Sequence, residues 1–527
     1  MLELAKVAFM TSAMPQHLTL LLDCPLVIAA IFTLGIGGTF QYGFCISVVT
    51  SSSTYIKELL NQTCLERYEV RLTPWHISLI WSFIVSLFCV GGLLGTLLAP
   101  PIFSKYGRRT CLLLNNLLAI MGAVLMLFSR AAASFEMIMA ARLLYGINSG
   151  VSLSTQSVYL VECAPKMLRG MVGVTIATFI AAGKFTGQLL GISELLGTEE
   201  RWHFLLAFNA LPALFQLLTL PFLPESPKFL LLERGDQQAC QKAVTRLWGK
   251  KDHSSELEDM LEEKAALQNV TSRSVMELLQ DGSIRWQVIT IVVTFSSLQL
   301  CGINAVYFYS YEVFAAAGIQ QQQLAYAALG TGLCEMMASL ACFVIIESAG
   351  KKVLLSRGCL AMAAALALLT VTLHLQQHIY WMSYCSMVLI FTFIALFSTG
   401  PGGTTAPLPG VIFTQAYKSS AYLVACTINW TGMFTVGMVF PILVGRRGAG
   451  AYLSCIRAEG EVHPGQVATS SQLSGESGLP MLYPVPVDVF VLRSVRALPC
   501  PRDEQQDTSG DRHRLSAAAQ QVPFKVP

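Results

Sequence analysis

The sequence predicts an all-α membrane protein whose helices form two related bundles. Of the 527 residues, 54% are hydrophobic and only 13% are charged. The mean hydropathy of +0.56 is well above that of soluble chains. Apolar runs of spanning length recur, and a glycine followed by two cations closes the second run of each half, at Gly107 and Gly350. This recurrence is typical of an internal repeat.

The predicted spans follow from the length of helix that crosses a bilayer, about 20 apolar residues. The chain supplies such runs at about 25–49, 77–100, 110–128, 143–161, 171–193, 203–223, 286–311, 324–346, 353–373, 380–400 and 420–444. Within the tenth run, Gly400-Pro401-Gly402-Gly403 is expected to break the helix. We therefore expect two helical bundles with about eleven recognisable spans.

The charges between the spans predict the orientation. Lys and Arg gather after even-numbered spans, as at Lys105 and Lys166, which places those loops and the N-terminus in the cytoplasm. The loop at 50–76 is then extracellular, and Asn61 is a candidate glycosylation site. Residues 1–24 lack the pattern of a removable signal peptide.

These observations divide the chain into five regions: an N-terminus at 1–24, a six-span bundle at 25–223, a cytoplasmic helical linker at 224–285, a bundle of five recognisable spans at 286–444 and a tail at 445–527. The tail is rich in Gly, Pro, Ser, Arg and Gln, and its most apolar stretch, 479–492, contains three prolines. We expect the tail to be disordered and to lack a twelfth span.

Charge and motif content exclude several functions. With 35 Lys and Arg against 32 Asp and Glu, the net charge of +3 provides no basic field for nucleic acid. The spans show no metal-ligand spacing and no nucleophile with its base, so we expect no enzyme activity, cofactor or metal. The expected partners are the lipid bilayer and a small molecule.

Several motifs together identify a family. They are Gly107-Arg108-Arg109, Arg142-Leu143-Leu144-Tyr145-Gly146, Pro224-Glu225-Ser226-Pro227-Lys228, Gln299-Leu300-Cys301-Gly302-Ile303-Asn304 and Asn429-Trp430. The chain resembles the sugar porters of the major facilitator superfamily over about residues 25–444. With Gln188-Leu189-Leu190-Gly191, it looks most like the class II facilitative hexose transporters, the fructose and urate branch.

A hexose site needs amide side chains, which both donate and accept hydrogen bonds, together with aromatic surface. By the resemblance, the sugar contacts are Tyr42, Gln188, Gln299, Asn304, Glu335, Ala406, Asn429 and Trp430. In a membrane, buried amides otherwise bond helix to helix. The family match favours sugar binding over that structural role.

Two charged residues inside spans, Lys184 and Glu335, are costly enough to indicate function. Glu335 is a candidate acceptor of sugar hydroxyls or of a proton. Lys184 lies four residues before Gln188 and therefore on the same helical face. Its partner is an anionic substrate such as urate, or a neighbouring polar group, or Glu335; alternatively it extends to the cytoplasmic interface.

Cytoplasmic ion pairs are expected to close the inner gate of such a transporter. The candidate members are Arg108, Arg109, Glu162, Arg169, Glu225, Glu347, Lys351 and Lys418. Lys351 and Lys418 stand where the family prefers Arg, and a lysine cannot form the forked bond of an arginine. We therefore expect a looser inner gate.

The resemblance implies facilitative transport of a hexose by alternating access at the plasma membrane, without a cofactor. Ala406 aligns with a tryptophan of glucose-selective members, which favours fructose over glucose. Urate transport and proton coupling stay open, as does a protein of another class, a sugar sensor or inactive isoform that does not transport. The oligomeric state is not indicated.

Overall fold

A computed structural model describes residues 21, 24–249, 254–268, 273–349, 351–376, 378–379, 381–405 and 408–459. Among these residues, helices are the regular structure and no strand occurs. The all-α prediction is confirmed. Residues 1–20 and 460–527, which include most of the predicted N-terminus and tail, lie outside the described residues.

The first six predicted spans are helical. Their helices, with an additional helix α3 between the first two spans, are α1 (Pro25–Leu34), α2 (Phe40–Ser51), α3 (Ser53–Tyr68), α4 (Pro74–Tyr106), α5 (Arg108–Ser129), α6 (Phe135–Cys163), α7 (Arg169–Leu190), α8 (Trp202–Ala207) and α9 (Ala210–Thr219). A π-helical segment, Gly35–Thr39, joins α1 to α2. The candidate glycosylation site Asn61 is exposed on α3.

The linker and the second half are also helical. The linker contains α10 (Gln237–Trp248), α11 (Ser254–Gln268) and α12 (Val275–Gln280). The second half contains α13 (Arg285–Leu300), α14 (Ile303–Phe308), α15 (Ser310–Ala316), α16 (Leu324–Ala349), α17 (Lys351–Leu375), α18 (Met382–Thr399), α19 (Pro401–Thr405), α20 (Leu408–Ile412) and α21 (Gln415–Glu459). The break expected near Gly400 is observed, since α18 ends at Thr399.

Helices occupy all eleven predicted span positions, and nine helical stretches of the described residues are long and apolar enough to cross a membrane. The remaining two positions are α6 and α7, which carry buried polar residues such as Arg142, Gln156, Lys184 and Gln188. These polar residues lower the mean hydropathy of α6 and α7. The membrane position tolerates them because they face other helices rather than lipid. The last helix, α21, extends to Glu459, past the predicted end at 444.

Glycines bring the helices of the first half into close contact. A Cβ atom on Gly91 would lie 2.2 Å from the carbonyl oxygen of Leu143, and one on Gly183 would lie 2.1 Å from that of Phe40. Only glycine permits these approaches, which join α4 to α6 and α2 to α7. These glycines therefore serve helix packing.

The two halves meet mainly along two helix pairs, α4 with α21 and α7 with α16, and α2 also contacts α14. One hydrophobic cluster runs through both halves and includes Tyr42 and Phe88 from the first half and Tyr307 and Trp430 from the second. Two of the candidate sugar contacts, Tyr42 and Trp430, therefore lie where the bundles touch.

Each end of the linker is attached to a different half. Trp248 donates a hydrogen bond from Nε1 to the carbonyl of Cys163 at 2.8 Å, and Val244 packs in the same apolar cluster as Leu112 of α5. At the other end, the Arg273 amide donates to the carbonyl of Ala416 at 2.9 Å. The first part of the linker therefore packs on the first half, and its last part is bonded to the second half.

Candidate functional site

A break in the seventh span positions two of the candidate amides. Helix α13 ends at Leu300 and α14 starts at Ile303, with Gly302 between them at φ +89°, a conformation that favours glycine. This turn lets Asn304 donate from Nδ2 to Oε1 of Gln299. The two residues are five apart in the chain, so a regular helix would not bring their side chains to one site, and the break at Gly302 does so.

The amide chain continues to the eleventh span. Gln299 donates from Nε2 to Oδ1 of Asn429 on α21. Gln299 and Asn304 are buried, and Asn429 is half-buried. Asn304, Gln299 and Asn429 therefore form one hydrogen-bonded chain. Each amide retains other donor or acceptor capacity, which a polyol could use.

Aromatic rings lie next to this chain. Trp430 follows Asn429 and forms an edge contact with Tyr42, with 5.8 Å between the ring centroids. Its Nε1 donates to Oγ1 of Thr96 on α4 at 2.9 Å. A Cβ on Gly92 would lie 2.2 Å from the indole ring, so this glycine makes room for it. The predicted ring contacts Tyr42 and Trp430 are thus brought together across the two halves.

Gln188 provides a further amide, separate from the chain of three, at the contact between the halves. Its Nε2 donates to Oγ1 of Thr331 on α16 at 2.9 Å. Its Oε1 is buried and has no hydrogen-bond partner among the described residues. A buried carbonyl without a donor is costly. Oε1 of Gln188 lies next to Gly332, where the absence of a side chain leaves room for it. This oxygen is therefore available to accept a hydrogen bond from a hydroxyl group.

Lys184 and Glu335 form a buried ion pair. The distances from Nζ to the two carboxylate oxygens are 2.8 and 2.9 Å, and the side chains are 7% and 9% exposed. Nζ lies 4.0 Å from the ring centroid of Tyr307, whose hydroxyl donates to the same carboxylate. Of the partners proposed for Lys184, Glu335 is observed, and extension to the cytoplasmic interface is wrong because the side chain is buried.

Other buried amides serve the structural role alone. Asn148 donates from Nδ2 to Oε1 of Gln41 at 2.7 Å, and Asn116 donates to Gln216 at 2.8 Å. All of these residues belong to the first half. These bonds join helices within one bundle, as expected for amides in lipid.

Sequence reasoning missed Thr96, Tyr307 and Thr331, because a single hydroxyl in an apolar run gives no distinct signal. The candidate contact Ala406 lies outside the described residues.

Arg108 is the centre of the cytoplasmic cluster. Its Nε and Nη2 donate to the two oxygens of Glu162 at 3.1 Å each, and Nη2 also lies 2.8 Å from Glu233. The guanidinium stacks between Phe103 and Phe229, at 5.2 and 4.9 Å from their centroids. Arg108 and Glu162, both candidate gate residues, form an ion pair, whereas Glu233 of the linker was missed because it lies in an ordinary charged stretch.

Glu225 has a different role from an ion pair. Its Oε1 accepts the backbone N–H groups of Arg108 and Arg109 at 3.0 and 3.1 Å, so it caps the start of α5. The Arg109 side chain donates to the carbonyl of Leu223 at 3.1 Å. Arg169 donates to the carbonyl of Ala164 at 3.4 Å.

The remaining gate candidates belong to the second half. Lys418 is half-buried on α21. The side chains of Glu347 and Lys351 lie outside the described part of the chain. The described bonds of Arg108 and Arg109 therefore stay within the first half and the linker. Among the described residues, no group of three or more His, Cys, Asp or Glu side chains is placed to hold a metal ion.

At the opposite end the two halves touch directly. Oγ1 of Thr50 donates to the carbonyl of Tyr307 at 2.8 Å, and Nζ of Lys57 lies 3.2 Å from Glu312. Tyr326 donates to Glu194 at 3.0 Å. The backbone N–H, followed by the Tyr326 hydroxyl, holds the pKa of Glu194 below its usual range. These contacts close the end of the site that we predict to be extracellular.

Comparisons with known proteins agree with this architecture. The family described as "Sugar (and other) transporter" matches residues 30–457. Mouse solute carrier family 2, facilitated glucose transporter member 9, is 43% identical over 418 residues, which cover 79% of this chain and 78% of that protein. Human member 11 is 42% identical over 419 residues, 80% of this chain and 84% of the relative. Bovine member 5 is 38% identical over 428 residues, 81% of this chain and 85% of the relative.

Solved structures show the same fold. The partially occluded inward-open conformation of the xylose transporter XylE from E. coli superposes with a TM-score of 0.65 at 19% identity, over 80% of this chain and 92% of that one. XylE bound to 6-bromo-6-deoxy-D-glucose gives a TM-score of 0.66 at 19% identity, over 81% and 91% of the two chains. The second structure is described as a major facilitator superfamily protein, so the predicted fold is confirmed.

Proposed function

Because the chain belongs to the family of sugar and other transporters, we propose that it carries a hexose across a membrane by facilitative, alternating access. The relatives are named as facilitated glucose transporters, not enzymes. The substrate site consists of Gln188, the chain of Asn304, Gln299 and Asn429, and the rings of Tyr42 and Trp430.

The observation that carries this proposal is the position of Gln188. Its amide bridges α7 of the first half to Thr331 of the second, and its buried Oε1 lacks a donor among the described residues. A sugar hydroxyl would satisfy that oxygen and bond to both halves at once. Binding would then be coupled to the relative position of the bundles, as alternating access requires.

The contacts between halves support an assignment of state. They occur at mid-membrane and at the end marked by Lys57 and Glu312, whereas the described bonds of Arg108 remain in the first half and linker. We assign this arrangement to a conformation that is closed on the extracellular side. The corresponding topology has a cytoplasmic N-terminus, with the plasma membrane as the proposed location.

Fructose is the favoured hexose because a small residue, Ala406, stands where glucose-selective members carry tryptophan. Glucose is the second candidate hexose. Urate is a further candidate, since Lys184 places a cation beside Gln188. Proton coupling would require Glu335 to titrate during transport, although it is paired with Lys184 and Tyr307 in this conformation.

The experiment is uptake of radiolabelled fructose, glucose and urate into proteoliposomes containing the purified full-length chain. The test variants are Gln188→Ala and Gln299→Ala. Gln322→Ala is the matched control because that glutamine is exposed in the turn Gln321–Gln323 directly before α16, away from the site. Loss of one hydrogen bond to substrate is expected to weaken hexose transport about tenfold, from about 1.5 kcal/mol.

Saturable hexose uptake that falls in both site variants and persists in the control supports the proposal. Uptake with an imposed pH gradient separates a uniporter from a proton-coupled porter. If monodisperse protein shows no uptake above empty vesicles, the proposal fails, and a sugar sensor that binds without flux becomes the better interpretation.

A further inference from the structure

The ion pair of Lys184 and Glu335 joins the two halves of the molecule. Lys184 belongs to α7 and Glu335 to α16, 151 residues apart in the chain. Both side chains are more than nine-tenths buried, and the lysine satisfies both carboxylate oxygens. The Tyr307 hydroxyl adds a third donor to that carboxylate. Such pairs persist in membrane helices only with this degree of compensation.

The pair lies next to the proposed sugar site. Lys184 precedes Gln188 by four residues, and Glu335 follows Thr331 by four, so the ion pair and the Gln188 bond to Thr331 lie one helical turn apart. Tyr307 is also three residues beyond Asn304 on the same short helix. A solute bound to the amides would therefore lie within a few ångströms of both charges.

The charge that this pair presents to a solute is zero. The carboxylate of Glu335 is already bound to the ammonium group of Lys184. An entering anion would therefore be repelled by the negative charge of Glu335 before it could replace that carboxylate. A second mid-membrane cation among the described residues, Arg142, donates to the carbonyls of Cys45 and Val85 and stacks 4.7 Å from the ring of Phe88. That ring lies between the guanidinium and Trp430.

We infer that Lys184 and Glu335 act together as a charge-compensated pair that makes the site select uncharged solutes and reject anions. This inference rests on the proposed function and narrows its substrate class to neutral hexoses, against urate. It also predicts what each charge does alone. Without Glu335, the lysine becomes a buried cation that attracts an anion, and without Lys184, the carboxylate attracts a cation.

Three probes of one ring shape test this inference: glucose, its carboxylate glucuronate and its ammonium analogue glucosamine. Binding is measured as thermal stabilisation of the detergent-purified full-length chain, which does not depend on transport. The variants are Glu335→Gln, Lys184→Gln and the double variant. All variants and probes are compared in one near-neutral buffer, in which glucuronate and urate are anions and glucosamine is mostly a cation. Fructose and urate are added as the candidate substrates.

The expected result is a change in preference rather than a general loss. Glu335→Gln should increase affinity for glucuronate and urate relative to glucose at least about tenfold, since unit charges a few ångströms apart interact strongly in a buried site. Lys184→Gln should increase affinity for glucosamine relative to glucose by a similar factor. The wild type and the double variant should both prefer glucose to either charged probe.

The outcomes separate this inference from the proposed function. Wild-type binding of glucuronate or urate as tightly as glucose or fructose would overturn the inference while leaving transport intact. The same conclusion follows if folded single variants keep the wild-type ranking of probes. If Glu335→Gln does not fold, Lys184→Gln tests the inference through its affinity for glucosamine relative to glucose. Failure of hexose uptake by the wild type would count against the proposed function alone, because the change in preference is measured by binding.

Discussion

Replacement of Arg108 should destabilise the cytoplasmic side of the first half more than any surface charge does. The side chain is 6% exposed and makes a forked bond to Glu162, which is 13% exposed. Removal of one partner of a buried pair costs about 3–5 kcal/mol. The bond to Glu233, which is 32% exposed, contributes under about 1 kcal/mol because solvent screens it.

These magnitudes predict an order of variants. Arg108→Ala should lower the free energy of unfolding by about 4 kcal/mol. Arg108→Lys keeps the charge but loses one arm of the fork, which should cost about 1.5–3 kcal/mol. Arg67→Ala is the matched control, since that arginine lies 3.6 Å from Glu136 with its side chain 44% exposed, and its loss should cost at most about 1 kcal/mol.

The assay is retention of monodisperse protein after heating in detergent, with all variants at equal concentration. Melting temperatures should decrease in the order wild type, Arg67→Ala, Arg108→Lys and Arg108→Ala. Equal melting of wild type and Arg108→Lys would refute the importance of the fork. Equal effects of Arg67→Ala and Arg108→Ala would refute the distinction between buried and exposed pairs.

Three further changes test other parts of the structure. Gly302→Ala places a side chain at φ +89° and should cost about 1–2 kcal/mol while shifting Asn304 from Gln299, so hexose uptake should fall more than the folded yield; unchanged uptake would contradict the role of this turn. Gly183→Val should separate α7 from α2 and destabilise the protein by about 1–3 kcal/mol, whereas Gly173→Val, with open space at its Cβ, should melt like the wild type. Hydrogen bonds from its own backbone N–H and then from the Tyr326 hydroxyl lower the pKa of Glu194, so they stabilise the fold fully above the ordinary carboxyl pKa and this stabilisation is lost as pH falls through the lowered value. Tyr326→Phe should therefore reduce this acid dependence of melting without abolishing it, and identical pH profiles of variant and wild type would exclude a contribution from Tyr326.

The positions of the helices could be predicted from the sequence because hydropathy is a local property. Gln299 and Asn304 are five residues apart, so they can share a site only if the helix bends or unwinds between them, and the structure shows where this break occurs, at Gly302. Polar helices such as α6 are identified less clearly by hydropathy, because residues like Arg142 bury their polar groups against neighbouring helices.

Pairings between distant residues could not be predicted in the same way. Lys184 and Glu335 each stood out as a charge in an apolar run, but several partners were compatible with the sequence, and only packing of α7 on α16 selected one. Glu233 gave no signal at all, because its contact with Arg108 depends on how the linker folds back against α5. Glu225 was expected in an ion pair and instead caps a helix.

The attachment of the linker has a consequence for biosynthesis. Trp248 and Val244 complete an apolar cluster of the first half, and Glu233 completes the bonds of Arg108. All of these residues precede α13 in the chain, so the ribosome releases them before any helix of the second half. Domains fold as units during synthesis, with the N-terminal one first. The first bundle can therefore finish its packing alone and serve as the template on which the later helices assemble.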